Sequence, residues 1–246
     1  MALSKETGYE PLYELKPVAD GVWIVDGGWI RFYCLPFPTR MTVVRLKNGG
    51  LWIHSPVLDD ECLVRTISSL GTVEYIVAPN CIHYEYLPAW QRRFPAARVF
   101  ISPGTAARAR SKGIDLLFDT ELGDKVPDEW KDDFDQLLAE SKAHREVVFF
   151  HRATQCLILT DLIENLVTSK MPLWTRPFLS FGGVAAPNGG MPADMALSFK
   201  RSSAEFRSVV LQLIAWDPKI VIIAHGQWFN QGGAAELRRA FSKFLT

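Results

Sequence analysis

The sequence predicts a mixed α/β (α+β) chain. Three observations carry that expectation: short β-type runs open it, a strand–helix–strand–helix rhythm follows, and further strand runs precede a closing helix–strand–helix. The opening runs are Gly21 to Asp26 (GVWIVD), Trp29 to Tyr33, Met41 to Lys47 (MTVVRLK) and Leu51 to His54, and Asn48-Gly49-Gly50 signals a turn between the last two. An antiparallel start is expected. Asp59, Asp60 and Glu61 place acid in a first helical turn, and Leu63, Ile67 and Leu70 share one face, so residues 59–70 read as a helix ended by Gly71. Val73 to Val77 and Arg98 to Ile101 read as buried strands, with helices over 85–93 and 104–112. Asp135 to Ala139, Val147 to Phe150 and Cys156 to Leu159 then fit an antiparallel meander. Residues 170–192 carry Pro, Gly and aromatics without a clean period and read as a long irregular segment, a pocket wall or lid. Phe206, Val209, Val210, Leu213 and Ile214 form a helical stripe, Lys219 to Ala224 a buried strand, and 233–245 a last helix.

Composition narrows the function classes. At 246 residues, with 48% hydrophobic and 22% charged, the chain is globular rather than disordered or fibrous. Lys plus Arg equals Asp plus Glu at 27 each, which leaves no charge excess to draw phosphates, so nucleic acid is not an expected partner. No run approaches the roughly 18 apolar residues of a membrane span. The opening MALSKETGYE lacks the basic-then-apolar layout of a secretory signal, and a cytoplasmic location is expected. Cys34, Cys62, Cys81 and Cys156 are isolated from one another, which predicts buried free thiols.

The chemistry-bearing residues cluster at strand ends. His54, His83 and His225 each follow an apolar strand run, as does Asp161, and open α/β sheets place ligands at such ends. Any one alone reads as a hydrogen-bonding or capping residue; four together point to a site. His151 reads as a hairpin residue, and Arg40 and Arg45 as solvated edge charge. The G-x-S-x-G, P-loop and G-x-G-x-x-G signatures are absent, so covalent serine chemistry and nucleotide binding have no support.

In FYCLPFPTRMTVVRL, LWIHSP, VEYIVAPN, EVVFFHR, LILTDLIEN and IIAHG the sequence resembles the metallo-β-lactamase superfamily, closest to an uncharacterised branch, from about residue 20 to the end. The resemblance implies an αββα sandwich, one domain over residues 1–246. The superfamily's first metal-binding block, H-x-H-x-D-H, is degraded here: laid over Ala78-Pro79-Asn80-Cys81-Ile82-His83, it leaves His83 alone in register. A separate histidine of the pattern falls near Lys142, with His144 two residues on. What the resemblance retains is His83, Asp161 and His225, three ligands of the second metal. These imply one divalent ion, zinc ahead of iron, with positions open to water and substrate. His54 stands where relatives carry a supporting Asp, and is a candidate to orient a ligand, to act as acid or base, or to satisfy a loop carbonyl. Asn80 is a candidate hydrogen-bond donor to substrate or bound water, and Glu85 a candidate replacement for the lost Asp or else a solvated first-turn residue.

The expected function is a mononuclear metal-dependent hydrolase that acts on a small, partly apolar ester, lactone or thioester through a metal-bound water. Trp174, Phe178 and Phe181 would then wall the pocket. A second reading is a metal-free, catalytically inactive relative that binds a small molecule or a partner. A third holds iron for oxygen chemistry.

Overall fold

Strands that are apolar on both faces need a layer on each side, and this chain supplies it in four layers. A computed structural model describes residues 9–32, 35–200 and 203–245. The first sheet runs, in spatial order, β1 (Lys16–Ala19), β2 (Val22–Phe32), β3 (Leu35–Arg45), β4 (Leu51–His54), β5 (Val73–Ala78), β6 (Arg98–Ile101) and β7 (Thr120–Glu121). Pairing is antiparallel from β1 to β4 and parallel from β4 to β7. In the second sheet β8 (Phe134–Glu140), β9 (Arg145–His151) and β10 (Cys156–Ile158) form the expected meander, and β11 (Ile220–Ile222) adds parallel to β10.

The helices are α1 (Glu61–Leu70), α2 (Leu87–Arg93), α3 (Thr105–Arg110), α4 (Arg176–Phe181), α5 (Ala193–Phe199), α6 (Ser203–Ala215) and α7 (Gly233–Ala240). Leu63 and Ile67 of α1, Leu87 and Trp90 of α2 and Ala109 of α3 cover the outer face of the first sheet. Phe199 of α5, Phe206, Val210 and Leu213 of α6 and Leu237 of α7 cover the second. Between the sheets lie Val22, Trp52, Val77, Phe100, Trp130, Phe134, Phe149, Ile158 and Ile222. The period of two decides which way each residue faces: Ile76 and Ala78 of β5 turn toward the helices while Val77 turns toward the other sheet. The same alternation puts His54 beside Trp52, between the sheets rather than at a surface.

Several boundaries move. The runs expected at 21–26 and 29–33 are one strand, β2, whose register with β3 slips between Asp26 and Trp29; Tyr33, like Cys34, lies outside the described residues. Helix α1 begins at Glu61 because the Asp60 carboxylate accepts from the backbone N–H of Cys62 and Leu63 as its N-cap. The segment 170–192 holds α4, whose six residues are too few to show a period, and the helix expected over 233–245 stops at Ala240 before a tighter final turn. Cys156 is a buried free thiol as expected, but Cys62 is exposed on α1. Among the described residues no helix is long and apolar enough to cross a membrane.

Candidate metal centre and its pocket

The site forms where the two sheets meet at their strand ends. Past β5 the chain crosses to the second sheet: Val147 N–H donates to the Pro79 carbonyl at 2.9 Å, and Asn80 bridges to Glu146. Asn80 is fully buried, and every polar atom of its side chain is engaged. Its Nδ2 donates to Thr160 Oγ1 at 2.9 Å and to Asp161 Oδ2 at 2.7 Å, while its Oδ1 accepts from the backbone N–H of Ile82 and His83. A donor to substrate was the sequence expectation; with both amide hydrogens spent inside the protein, Asn80 instead ties His83 to Asp161.

Asp161 Oδ1 lies 3.1 Å from His83 Nε2 and 2.9 Å from His225 Nε2. The far nitrogens are anchored as well: His225 Nδ1 donates to the Pro38 carbonyl at 2.6 Å, and His83 Nδ1 shares a 2.6 Å hydrogen bond with Ser55 Oγ. The Pro38 contact leaves Nε2 as the lone-pair nitrogen of a neutral His225. Ser55 holds its hydroxyl in place from a backbone φ of 54°, a left-handed conformation that is uncommon for serine and costs energy. Burial alone would raise the Asp161 pKa, but the charges and hydrogen bonds of His83 and His225 hold it well below the usual carboxylate range. Burial disfavours protonation of His225, yet the hydrogen bond and charge of Asp161 more than reverse this and raise its pKa.

This donor set fits one divalent ion. The three donor atoms lie within 4.8 Å of one another. Two ligands each 2.0–2.1 Å from a tetrahedral ion stand about 3.3 Å apart, close to the separations observed from Asp161 Oδ1. His144, Glu146 and Asp161 make a second close group, but its carboxylate is committed elsewhere. Glu146, fully buried, accepts from Thr160 N–H at 2.7 Å and Asp161 N–H at 2.8 Å, and lies 3.2 Å from His144 Nε2. It braces the loop that carries Asp161. Burial opposes charging His144, but the hydrogen bond and charge of Glu146 raise its pKa nonetheless.

The His225 loop is held from β3. Arg40 was expected as solvated edge charge; it is 3% exposed, because Asp26 on the neighbouring strand supplies its counter-charge. Its Nε and Nη2 donate to Asp26 Oδ1, and its Nη1 donates to the carbonyls of Ile223 and Gly226 at 2.7 Å each, on either side of His225. At Gly226, with φ of 103°, a Cβ would stand 2.1 Å from the Asn165 carbonyl oxygen, so only glycine allows this approach.

His54 was expected near the chemistry. Its ring stacks on Trp52 at 5.3 Å, its Nε2 is buried without a hydrogen-bond partner, and burial followed by the His83 charge pushes its pKa down to about 3. It is therefore neutral between the sheets and does not line the pocket. Glu85 is exposed and belongs to neither group of close ligand atoms.

Asp161 and His225 open onto a cavity of about 570 Å³, whose apolar walls include Ile30, Leu35, Phe37, Phe178, Leu179 and Val184. Of the three aromatics expected there only Phe178 lines it. Phe181, at the end of α4, is 89% exposed and Trp174, in the turn before α4, is 53% exposed, and neither lines the cavity.

Glu164 also lines the cavity, and burial pushes its carboxyl up to about 8. From the ordinary carboxylate pKa to about 8 the unfolded chain gives up this proton while the folded chain keeps it, so stability falls as pH rises through that window. The slope is at most about 1.4 kcal/mol per pH unit. Glu164→Gln is therefore expected to flatten the pH dependence of urea unfolding between pH 5 and 8 in the presence of chelator. A variant as pH-dependent as the parent would refute the assignment.

Glu146, Glu164 and Ser55 escaped the sequence reading, and Arg40 was read there as edge charge. Glu146 left one trace: a lone acid at the head of the apolar run Val147 to Phe150, two residues after a histidine.

A family model described as "Domain of unknown function (DUF4336)" matches residues 19–177. No curated protein matches the sequence. Among solved structures the chain is similar to a metallo-beta-lactamase from Pontibacter korlensis, with TM-score 0.58 and 16% identity over 94% of this chain and 98% of that one. It is also similar to the DIM-1 metallo-beta-lactamase exposed to ceftazidime, with TM-score 0.64 and 13% identity over 94% and 95%. The FIM-1 metallo-beta-lactamase from Pseudomonas aeruginosa, in its mono-zinc form, gives TM-score 0.58 and 11% identity over 95% and 96%. The fold is metallo-beta-lactamase-like, as the sequence resemblance implied.

Proposed function

The chain belongs to the DUF4336 family, and from that premise and the geometry of its site we propose that it is a mononuclear metal-dependent hydrolase of a small, partly apolar ester, lactone or thioester. One observation carries the reading: two imidazole Nε2 atoms converge on one carboxylate oxygen while both Nδ1 atoms are anchored from behind. His83, Asp161 and His225 would hold a divalent ion, zinc ahead of iron; one of the structural neighbours is a mono-zinc form. An ion held there supplies Lewis acidity, polarising a carbonyl oxygen and acidifying water.

The chain's own residues do the rest. Asp161 brings negative charge that offsets part of the ion's, with its second oxygen bound to Asn80 so that Oδ1 faces the histidines. Ser55 and the Pro38 carbonyl set the ring orientations, and Arg40 fixes the backbone on both sides of His225. Phe37, Phe178 and Val184 give the pocket apolar walls against which the uncharged part of a substrate can be buried. One ion rather than two is proposed because the sequence resemblance puts Ala78 and Asn80 where the first metal's imidazoles would stand.

The test is hydrolysis of a panel of p-nitrophenyl esters, a lactone and a thioester by zinc-loaded protein. Turnover should vanish on chelation and return with zinc; turnover indifferent to chelation, or none across the panel, would overturn the proposal. Arg40→Met should weaken zinc binding by about 10-fold or more, the scale of losing support behind a ligand, as read by chelator competition. Unchanged zinc affinity would reduce Arg40 to a brace of the fold.

A metal-free binding protein is the competing reading, and one observation favours it: the His83–Asp161–His225 contacts are also acceptable hydrogen bonds. Metal content separates the two.

A further inference from the structure

We propose that the pocket takes an uncharged acyl compound with one aliphatic chain and turns away anionic compounds, with Glu164 anchoring the uncharged head. This rests on the hydrolase reading only for which end of the ligand faces the histidines.

The chain has a place to lie. Ile30 of β2 and Phe37 of β3 line the cavity together with Phe178 and Leu179 of α4 and Met195 of α5. Its volume of about 570 Å³ lies in the range of sites for small organic ligands, and its apolar walls reward burial of methylenes.

The head has a place as well. Glu164 lines the cavity with Asp161 and His225, both near enough to act on its charge. Its position is fixed by backbone: its N–H donates to the Gly190 carbonyl, and Asn165, the next residue, donates to the His225 carbonyl at 3.0 Å. A carboxyl kept protonated at neutral pH by burial offers one O–H donor and one carbonyl acceptor, the complement of an ester, lactone or amide head.

Charge decides against anions. A buried anion needs a buried cation to offset its lost hydration. The two histidines that line the cavity are each already paired with a carboxylate, His144 with Glu146 at 3.2 Å and His225 with Asp161 at 2.9 Å. The buried guanidinium of Arg40 shares Asp26 with Lys16, and neither cation lines the cavity. Among the described residues the cavity lining otherwise holds the acids Asp161, Glu164 and Asp194 and no lysine or arginine, so it offers an anion no cation that lacks a carboxylate partner.

The test needs no turnover. Octanamide and octyl sulfate, alike in their eight-carbon chain, are titrated at neutral pH into the protein as purified, with calorimetry as the readout. Octanamide should bind at least about 10-fold tighter. Glu164→Leu should weaken octanamide by about 10-fold and Glu164→Gln by no more than about 3-fold, since the amide restores a donor and an acceptor. Asp194→Lys should narrow the preference by raising affinity for the sulfate. Octyl sulfate bound as tightly as octanamide, or no binding of octanamide, would overturn the substrate class, and unchanged octanamide binding in Glu164→Leu would overturn the anchor. Loss of ester hydrolysis with the binding preference intact would count against the hydrolase reading alone.

Discussion

Glu146→Ala is expected to cost about 3–5 kcal/mol of folding stability, the scale for removing one member of a buried charged network. Glu146 accepts from the backbone N–H groups of Thr160, Asp161 and Leu162 and lies 3.2 Å from His144 Nε2. Thr160 and Asp161 would each lose the acceptor of a buried N–H, and His144 its carboxylate partner, with no exposure through which water could compensate. Against a total stability of about 5–15 kcal/mol this leaves a protein near its unfolding threshold. Glu146→Gln keeps one oxygen acceptor and should lose less. Urea unfolding of the three proteins measures it; a change under about 1 kcal/mol in Glu146→Ala would mean that the Asp161 loop is held by something else.

The second large effect is on the site rather than the fold. His225→Ala is expected to lower metal affinity by more than about 100-fold, beyond the 10–100-fold typical of losing a supporting residue behind a ligand. The fold should survive, because the loop remains clamped by Arg40 to the Ile223 and Gly226 carbonyls and by Asn165. A His225 that served only as a core hydrogen-bonding residue would give the opposite pattern: a fall in melting temperature with metal content unchanged.

The strands and longer helices were legible in the sequence from apolar runs and clean stripes, as in α1 with Leu63 and Ile67, whereas the sandwich they build was implied by the family resemblance. Strand-end placement singled out His83, Asp161 and His225, which the structure brings together. It also singled out His54, which the fold turns inward; the period of two along Leu51 to His54 already put it on the same face as Trp52. The supporting residues were not legible. Arg40 is 183 residues from the Ile223 carbonyl it holds, and nothing local in PTRMTVVRL distinguishes a buried guanidinium from an edge charge. Asn80 misled for a related reason: its residue type allows donation to a substrate, and only the positions of Thr160 and Asp161 show both hydrogens spent.

The central claim is that this family member holds one divalent ion on His83, Asp161 and His225. Elemental analysis of protein purified without an affinity tag or added metal tests it most directly. Near one equivalent of zinc or iron, lost in His225→Ala, is the predicted result; well below a tenth of an equivalent, with no uptake when either ion is added, would contradict it.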